Sequence, residues 1–284
     1  MEYMYVILTN SLFKAVNNWF GHLADGLLDA CFGEKQIESV TNILSLTGKF
    51  ATGVFDLLGV FLSATKPIGT ALVVTYFLMF MFDAAAKEQI TVDSLVKVLI
   101  QLVLVVALIS NLEEIISALL SIGEGVYANV QGIGTLGIER PAPFNTGHQM
   151  VEAWLNKEED LGATIFIQSC LIWIIHQIAI IAIDFAAISR VLELGWRIAF
   201  APIGVANCFE GGASSPAIKY LKGIFAVALS GAAIYVVTIV GFRLSYELLS
   251  ADDVSGSLFL CMASMLATAG AAIGISGKIK EVVG

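Results

Sequence analysis

The sequence predicts an all-α protein, a polytopic membrane helical bundle of about five transmembrane helices with an amphipathic N-terminal helix and a charged helix embedded in the membrane. Three observations predict it. Of the 284 residues 57% are hydrophobic and only 14% charged, where soluble domains are about a quarter charged. Mean hydropathy is strongly positive at +0.84. Apolar runs of the length needed to cross hydrocarbon recur along the chain.

The formal charge of −9, from 24 acids against 15 bases, argues against a protein that coats itself with nucleic acid over a basic surface, so any DNA contact must be local. Cys31, Cys170, Cys208 and Cys261 stand alone without a Cys-x-x-Cys pair, and read as small buried hydrophobes. His22, His148 and His176 show no ligand spacing, so neither a metal nor another cofactor is expected. The start, "MEYMYVILTN", has Glu2 in place of a basic region and a short apolar core. It does not read as a signal peptide, and the first membrane helix is expected to serve that purpose.

Residues 1–66 form the first region. Leu12, Val16, Trp19, Phe20, Leu23 and Leu27 line one side of a helix, with Lys14, Asn17, Asn18, Asp25 and Asp29 on the other. This suits an interfacial helix or a helix packed on a partner. Residues 50–65 are apolar but contain Asp56, and read as a helix entering the first span with a turn near Pro67.

Residues 67–122 form a hairpin. The runs 67–83 and 95–111 each reach roughly 26 Å as helix, close to the hydrocarbon thickness. The second continues through the stripe Leu112, Ile115, Ile116, Leu119 and Leu120, so it is expected to project beyond the membrane. Residues 123–162, rich in Gly and turn residues and carrying Pro141 and Pro143, read as an extracytoplasmic central loop. Residues 163–284 hold the C-terminal spans at 163–184, 221–242 and 256–277, with Asp184 marking the end of the first of these. In the last, Gly270 and Gly274 form a Gly-x-x-x-Gly ridge beside Ala263, Ala267 and Ala271. Small residues let helix backbones approach, so this ridge is expected to be a packing face within or between subunits.

Several motifs fail for want of context. "GIGTLG" at Gly132, Gly134 and Gly137 matches Gly-x-Gly-x-x-Gly but lies in the turn-rich region with prolines after it, not between a strand and a helix. "GISGKIK" lacks the spacing and the Ser/Thr of a phosphate-binding loop. No nucleophile has a placed base, so the chain is not expected to be an enzyme.

The stretch "SRVLELGWRIAFAPIG", 189–204, is the exception to the apolar pattern. Residues 187–209 read as a separate helix with Arg190, Glu193 and Arg197 on one face, so that Glu193 can pair with either arginine. An unpaired charge at the bilayer centre costs roughly 3 kcal/mol, so pairing and enclosure are expected. Counting Lys and Arg leans towards five spans with the N-terminus outside, which puts Lys87, Lys97, Arg190, Arg197, Lys219, Lys222, Lys278 and Lys280 inside. Six spans with both ends inside fit nearly as well.

Two hydrophobic spans, a central loop, and then "RVLELGWRIAFAPIGVANCFEGGASSPAIKYLKGIFAVALSGAAI" at 190–234 resemble the TrbL/VirB-type polytopic membrane channel subunits of type IV secretion and conjugation systems. The resemblance rests on Trp196, Arg197 and Pro202, the Gly/Ser break at Gly211 to Ser215, and the Ala-rich span, and covers most of 50–280. It implies a multi-pass protein of the cytoplasmic membrane, a homo-oligomer with a pentamer as the suggested size, and partners among the other secretion subunits, including separate ATPases. The implied function is passage of DNA and attached protein across that membrane. Arg190, Glu193 and Arg197 then join helices or subunits, with Trp196 as interfacial anchor and transient contact between the arginines and DNA as a lesser option. The competing classes are a small-solute transporter or ion channel, against which no internal repeat between 67–123 and 163–277 is found, and a non-conducting scaffold.

Overall fold

A computed structural model describes residues 49–87, 92–136, 162–207, 215–248 and 254–283, with short pieces at 15–16, 19–20, 23–24, 26–27 and 43–45. The described residues hold seven helices and no strand: α1 Lys49–Ala86, α2 Val92–Ser110, α3 Leu112–Leu136, α4 Gly162–Ala199, α5 Ala201–Gly204, α6 Pro216–Glu247 and α7 Val254–Val283. Four segments are long and apolar enough to cross a membrane: Asp56–Ala86, Phe166–Ala199, Pro216–Ser245 and Gly256–Ile275. The bent pair Leu95–Ser110 and Leu112–Ile133 makes a fifth if it is one broken span. The protein is thus a multi-pass, all-helical membrane protein.

Three elements depart from the pattern expected of the sequence. No turn forms at Pro67; α1 runs through it as one helix of 38 residues. The missing N–H is tolerated because packing holds both sides, with Leu62 and Val73 buried. The second departure is that α2 does not run straight on, but bends by 63° into α3. Here Asn111 Nδ2 donates to the carbonyl of Ala107 at 2.8 Å and Ser110 Oγ to that of Val106 at 2.9 Å. Side chains that bond the preceding turn bend helices in this way.

The third departure concerns the charged segment, which is no separate helix. It is the second half of α4, a 38-residue helix about 57 Å long. "DFAAIS" between Asp184 and Arg190 offers no Gly, Pro or cap to stop a helix, so Asp184 lies inside the span rather than at its end. The beginning of the expected central loop is also helical: α3 reaches Leu136 and includes Gly132 and Gly134 of "GIGTLG". Residues 137–161, with Pro141, Pro143 and His148, lie outside the described residues, as do Leu12, His22, Cys31 and Cys208.

The chain divides into two compact units assembled from non-consecutive stretches. The first comprises residues 1–41, 131–186 and 235–273; the second comprises 42–130, 187–234 and 274–284.

In the first unit, α7 turns Leu258, Cys261, Met265, Ala269 and Ala272 inward, and α4 contributes Ile172, Ala179 and Ile183. Polar contacts join α6 to α7. Ser245 and Ser264 share a hydroxyl hydrogen bond of 2.5 Å, and Ser245 Oγ also donates to the carbonyl of Gly241. Gly241 is required, since a Cβ there would collide with the side chain of Thr268. Near the N-terminus Phe20 stacks at 5.3 Å on Phe166 and Ala24 is buried, whereas Val16, Trp19 and Leu23 of the expected apolar stripe are exposed.

The second unit holds the larger apolar core. Leu58, Leu62 and Val73 of α1, Val105 and Ile109 of α2, Leu112 and Ile116 of α3, and Leu194 and Ile198 of α4 cluster there. Val205, Ala206, Ile224 and Val227 complete it.

The α6–α7 contact gives a direct expectation. Gly241→Val should destabilise the first unit by about 1–3 kcal/mol, read as a lower unfolding temperature in detergent. Gly125→Val, at a glycine with open space around it, should change that temperature far less.

Candidate functional site

The second half of α4 presents its charges to the second unit, and the structure separates the two arginines into different roles. Arg190 is 1% exposed and among the largest fully buried side chains. Its Nε donates to the carbonyl of Val227 at 3.1 Å, Nη2 to that of Ala228 at 2.9 Å, and Nη1 to that of Leu44 at 2.8 Å. A guanidinium has five donors in a rigid plane, and this one reaches two carbonyls of α6 and one of the 43–45 segment at once. Glu124 of α3 lies within electrostatic reach of Arg190 and accepts a hydrogen bond from Ser45 Oγ at 3.1 Å. The piece 43–45 is thereby held at two consecutive residues, by the Leu44 carbonyl and the Ser45 hydroxyl, and the Leu44 side chain is fully buried.

Gly231 makes this possible. A Cβ on Gly231 would overlap the guanidinium of Arg190, so only glycine leaves the plane room to lie against α6. The arrangement repeats two turns away, where a Cβ on Gly223 would come to 2.5 Å from Arg197 Nη1. Arginines seven apart on α4 thus meet glycines eight apart on α6, with numbering that runs in opposite senses, as antiparallel helices require.

Glu193 does not serve either arginine indifferently, as the spacing alone allowed. It accepts from Arg197, with Nε at 3.1 Å and Nη2 at 3.0 Å, and from Lys280 of α7 at 2.5 Å. The ion pair within α4 is largely buried, so it is less screened than an exposed i, i+4 pair. Arg190 engages backbone carbonyls instead.

Trp196 is half exposed, and the guanidinium of Arg197 lies 5.1 Å from its ring centroid, within cation–π reach. Pro202 is buried in α5. Its carbonyl and Cβ face Gly69 of α1, where an added Cβ would come to 2.6 Å. The end of α4 is capped from both sides: Tyr220 donates its hydroxyl to the carbonyl of Arg197 at 2.8 Å, and Thr65 Oγ1 to that of Ala199 at 2.7 Å. Carbonyls of a helix's last turn have no intrahelical partner, so these two hydroxyls satisfy groups that would otherwise be stranded.

Arg190, Glu193, Trp196, Arg197 and Pro202 therefore belong to one neighbourhood. Gly270 and Gly274 do not. Both are exposed with open space around them, and α7 buries the opposite side, through Cys261, Met265, Ala269 and Ala272. The ridge makes no helix contact within the chain among the described residues.

Sequence reasoning missed Glu124, Tyr220, Gly223, Gly231 and Lys280 as members of the site. Glu124 stood in an expected loop, and Lys280 counted only towards topology. The two glycines were hidden in a span where small residues abound; their only signal was a spacing close to that of the arginines. Elsewhere in α4, His176 and Ser169 are fully buried in the first unit, and Asp184 is partly buried. The His176 ring lies 5.6 Å from that of Phe242.

No catalytic constellation is formed by these groups, and among the described residues no cluster of His, Cys, Asp and Glu could hold a metal ion. What the arrangement does chemically is retain positive charge inside a packed helical interior. Arg190→Met should cost about 3 kcal/mol or more, since it strands hydrogen-bonded and charged partners. Arg190→Lys should recover little of that loss, because a point charge on a flexible stem cannot span three carbonyls. In a double-mutant cycle with Gly231→Ala, the two changes should couple by at least about 0.5 kcal/mol, as read by thermal unfolding of the purified protein. Strict additivity would refute the contact.

Searches of family models, curated proteins and solved structures found no match to this chain.

Proposed function

We propose that this chain is a channel or platform subunit of a type IV secretion machine of the conjugative, TrbL/VirB type, helping to pass DNA and attached protein across the cytoplasmic membrane as part of a homo-oligomer. The observation that carries the reading is the segment 190–234. Two of the residues on which the family resemblance rests also join helices: Arg197 lies against Gly223 of α6 and gives its carbonyl to Tyr220, and Pro202 packs α5 on Gly69 of α1. A scaffold of this kind needs no catalytic set of its own, and energy would come from separate ATPases. Gly270, Gly274 and the neighbouring alanines, open on the surface of α7, suit contact between subunits. The arginines are poor candidates for a DNA track, since one is enclosed by carbonyls and the other shares Glu193 with Lys280.

The small-solute transporter reading draws support from one observation, the fully buried His176 in a membrane span, since intramembrane ionisable residues often mark transport paths. The two readings part in a single experiment. Deletion of the gene from its native host should abolish conjugative DNA transfer, restored by the wild-type chain. Arg197→Ala should fail to restore it and should weaken oligomer assembly on native gels. Normal transfer in the deletion strain would remove the secretion reading and leave the transporter to be tested by solute uptake.

A further inference from the structure

Along α4, three polar side chains enter the first unit without protein partners. His176 and Ser169 are fully buried, and Asp184 is partly buried. Neither ring nitrogen of His176, nor Ser169 Oγ, nor Asp184 Oδ1 has a hydrogen-bond partner among the described residues. The three stand seven and eight residues apart, so each lies two turns from the next, roughly 11 Å along the axis. They share the face on which α4 also buries Ile172, Ala179 and Ile183.

Two unbonded nitrogens on one buried ring are costly. A neutral imidazole presents one donor and one acceptor, and a buried polar group left unbonded forfeits the hydrogen bond it made with water before folding. The neighbours of His176 one turn up and down α4 are Ile172, Trp173, Ala179 and Ile180, and none of their side chains carries a hydrogen-bond acceptor. Across the helix contact the ring meets Phe242 of α6, with centroids 5.6 Å apart, and an aromatic face is at most a weak acceptor.

Complete burial sets the size of what can meet those nitrogens. A lipid headgroup or a side chain of another subunit does not reach a ring with no accessible surface, and among the described residues no group of His, Cys, Asp and Glu could hold a metal ion. Water is small enough, and it both donates and accepts, as the ring requires. Further partners for such waters are at hand. Helix carbonyls keep a second lone pair, and Thr238, one turn before Phe242 on α6, adds a buried hydroxyl.

We propose that His176 is an internal water-binding site of the first unit, its neutral ring donating to one water and accepting from another, with Ser169 and Asp184 holding further waters two turns to either side. The buried face of α4 is then hydrated at intervals through a membrane span, whether the chain serves secretion or solute transport.

The test uses the full-length wild-type protein in detergent, exposed to microsecond X-ray pulses that split bound and bulk water into hydroxyl radicals, with oxidised side chains located by mass spectrometry. His176 should be oxidised at the dose that labels the half-exposed Trp196, whereas Tyr127, buried to the same degree in the second unit, should escape. Amide hydrogen exchange over residues 172–180 should be slow, which assigns the label to resident water and not to opening of the helix. In His176→Phe the ring at that position should lose the label, and the unfolding temperature should stay level or fall by a few degrees. Absence of label on wild-type His176, label accompanied by fast amide exchange, label that persists in His176→Phe, or a raised unfolding temperature in that variant would each overturn the proposal, the last because removing two unbonded polar atoms stabilises a dry site. The wild-type measurements decide by themselves if the variant unfolds, and none of them depends on DNA transfer or solute uptake.

Discussion

A guanidinium placed in an apolar helical interior has few ways of being satisfied, and the second unit is built around the one it adopts. Arg190 spreads its donors over the carbonyls of Leu44, Val227 and Ala228. Those oxygens belong to two stretches of chain far apart in sequence, so satisfying one side chain fixes α6 and the 43–45 piece against α4 together. The cost of leaving such a charge unsatisfied is several kcal/mol, comparable with a large part of a domain's net stability. The arrangement is therefore close to all-or-none, and it depends on a missing side chain at Gly231.

The remaining charges follow from that constraint. With Arg190 engaged by backbone, Glu193 is left for Arg197, and the same carboxylate oxygen, Oε1, also takes Lys280 from the end of α7. Arg197 in turn lies over Trp196 and beside Gly223. Its carbonyl is taken by Tyr220. The first unit meets the same problem of holding helices together with a different chemistry. Among its described residues no arginine is buried; α6 and α7 are joined through the hydroxyls of Ser245, Ser264 and Thr268, brought close by Gly241. In both units a glycine sets how near two helix backbones come, and a polar group occupies the room. This suits a low-dielectric setting, where hydrophobic association between helices is weak and close packing and hydrogen bonds must supply the contact energy.

Such a protein has stability and shape to offer, and the proposed role as a secretion platform asks for those properties. In that role Arg190 and Glu193 would be positioning residues, acting through the helices they join. The exposed small-residue ridge of α7 would be the place where the chain meets a neighbouring subunit, by close apolar fit.

Much of the class of the fold was legible without coordinates. Hydropathy and run length announce membrane helices because the bilayer imposes a length and a polarity on whatever crosses it. The charge pattern of 190–197 likewise announced a neighbourhood that had to be enclosed. Local signals misled where packing overrides them: Pro67 looked like a turn but lies within α1, and the glycines at 132 and 134 looked like loop but continue α3. Asp184 suggested a boundary inside what is one long α4. The sequence by itself determined that charges in this chain would need partners, because an apolar medium penalises them wherever they fall. Only the tertiary structure decided which partners, since Leu44 lies 146 residues from Arg190 and Ala228 lies 38 away, and no spacing along a chain encodes contacts made by helices folding back on one another.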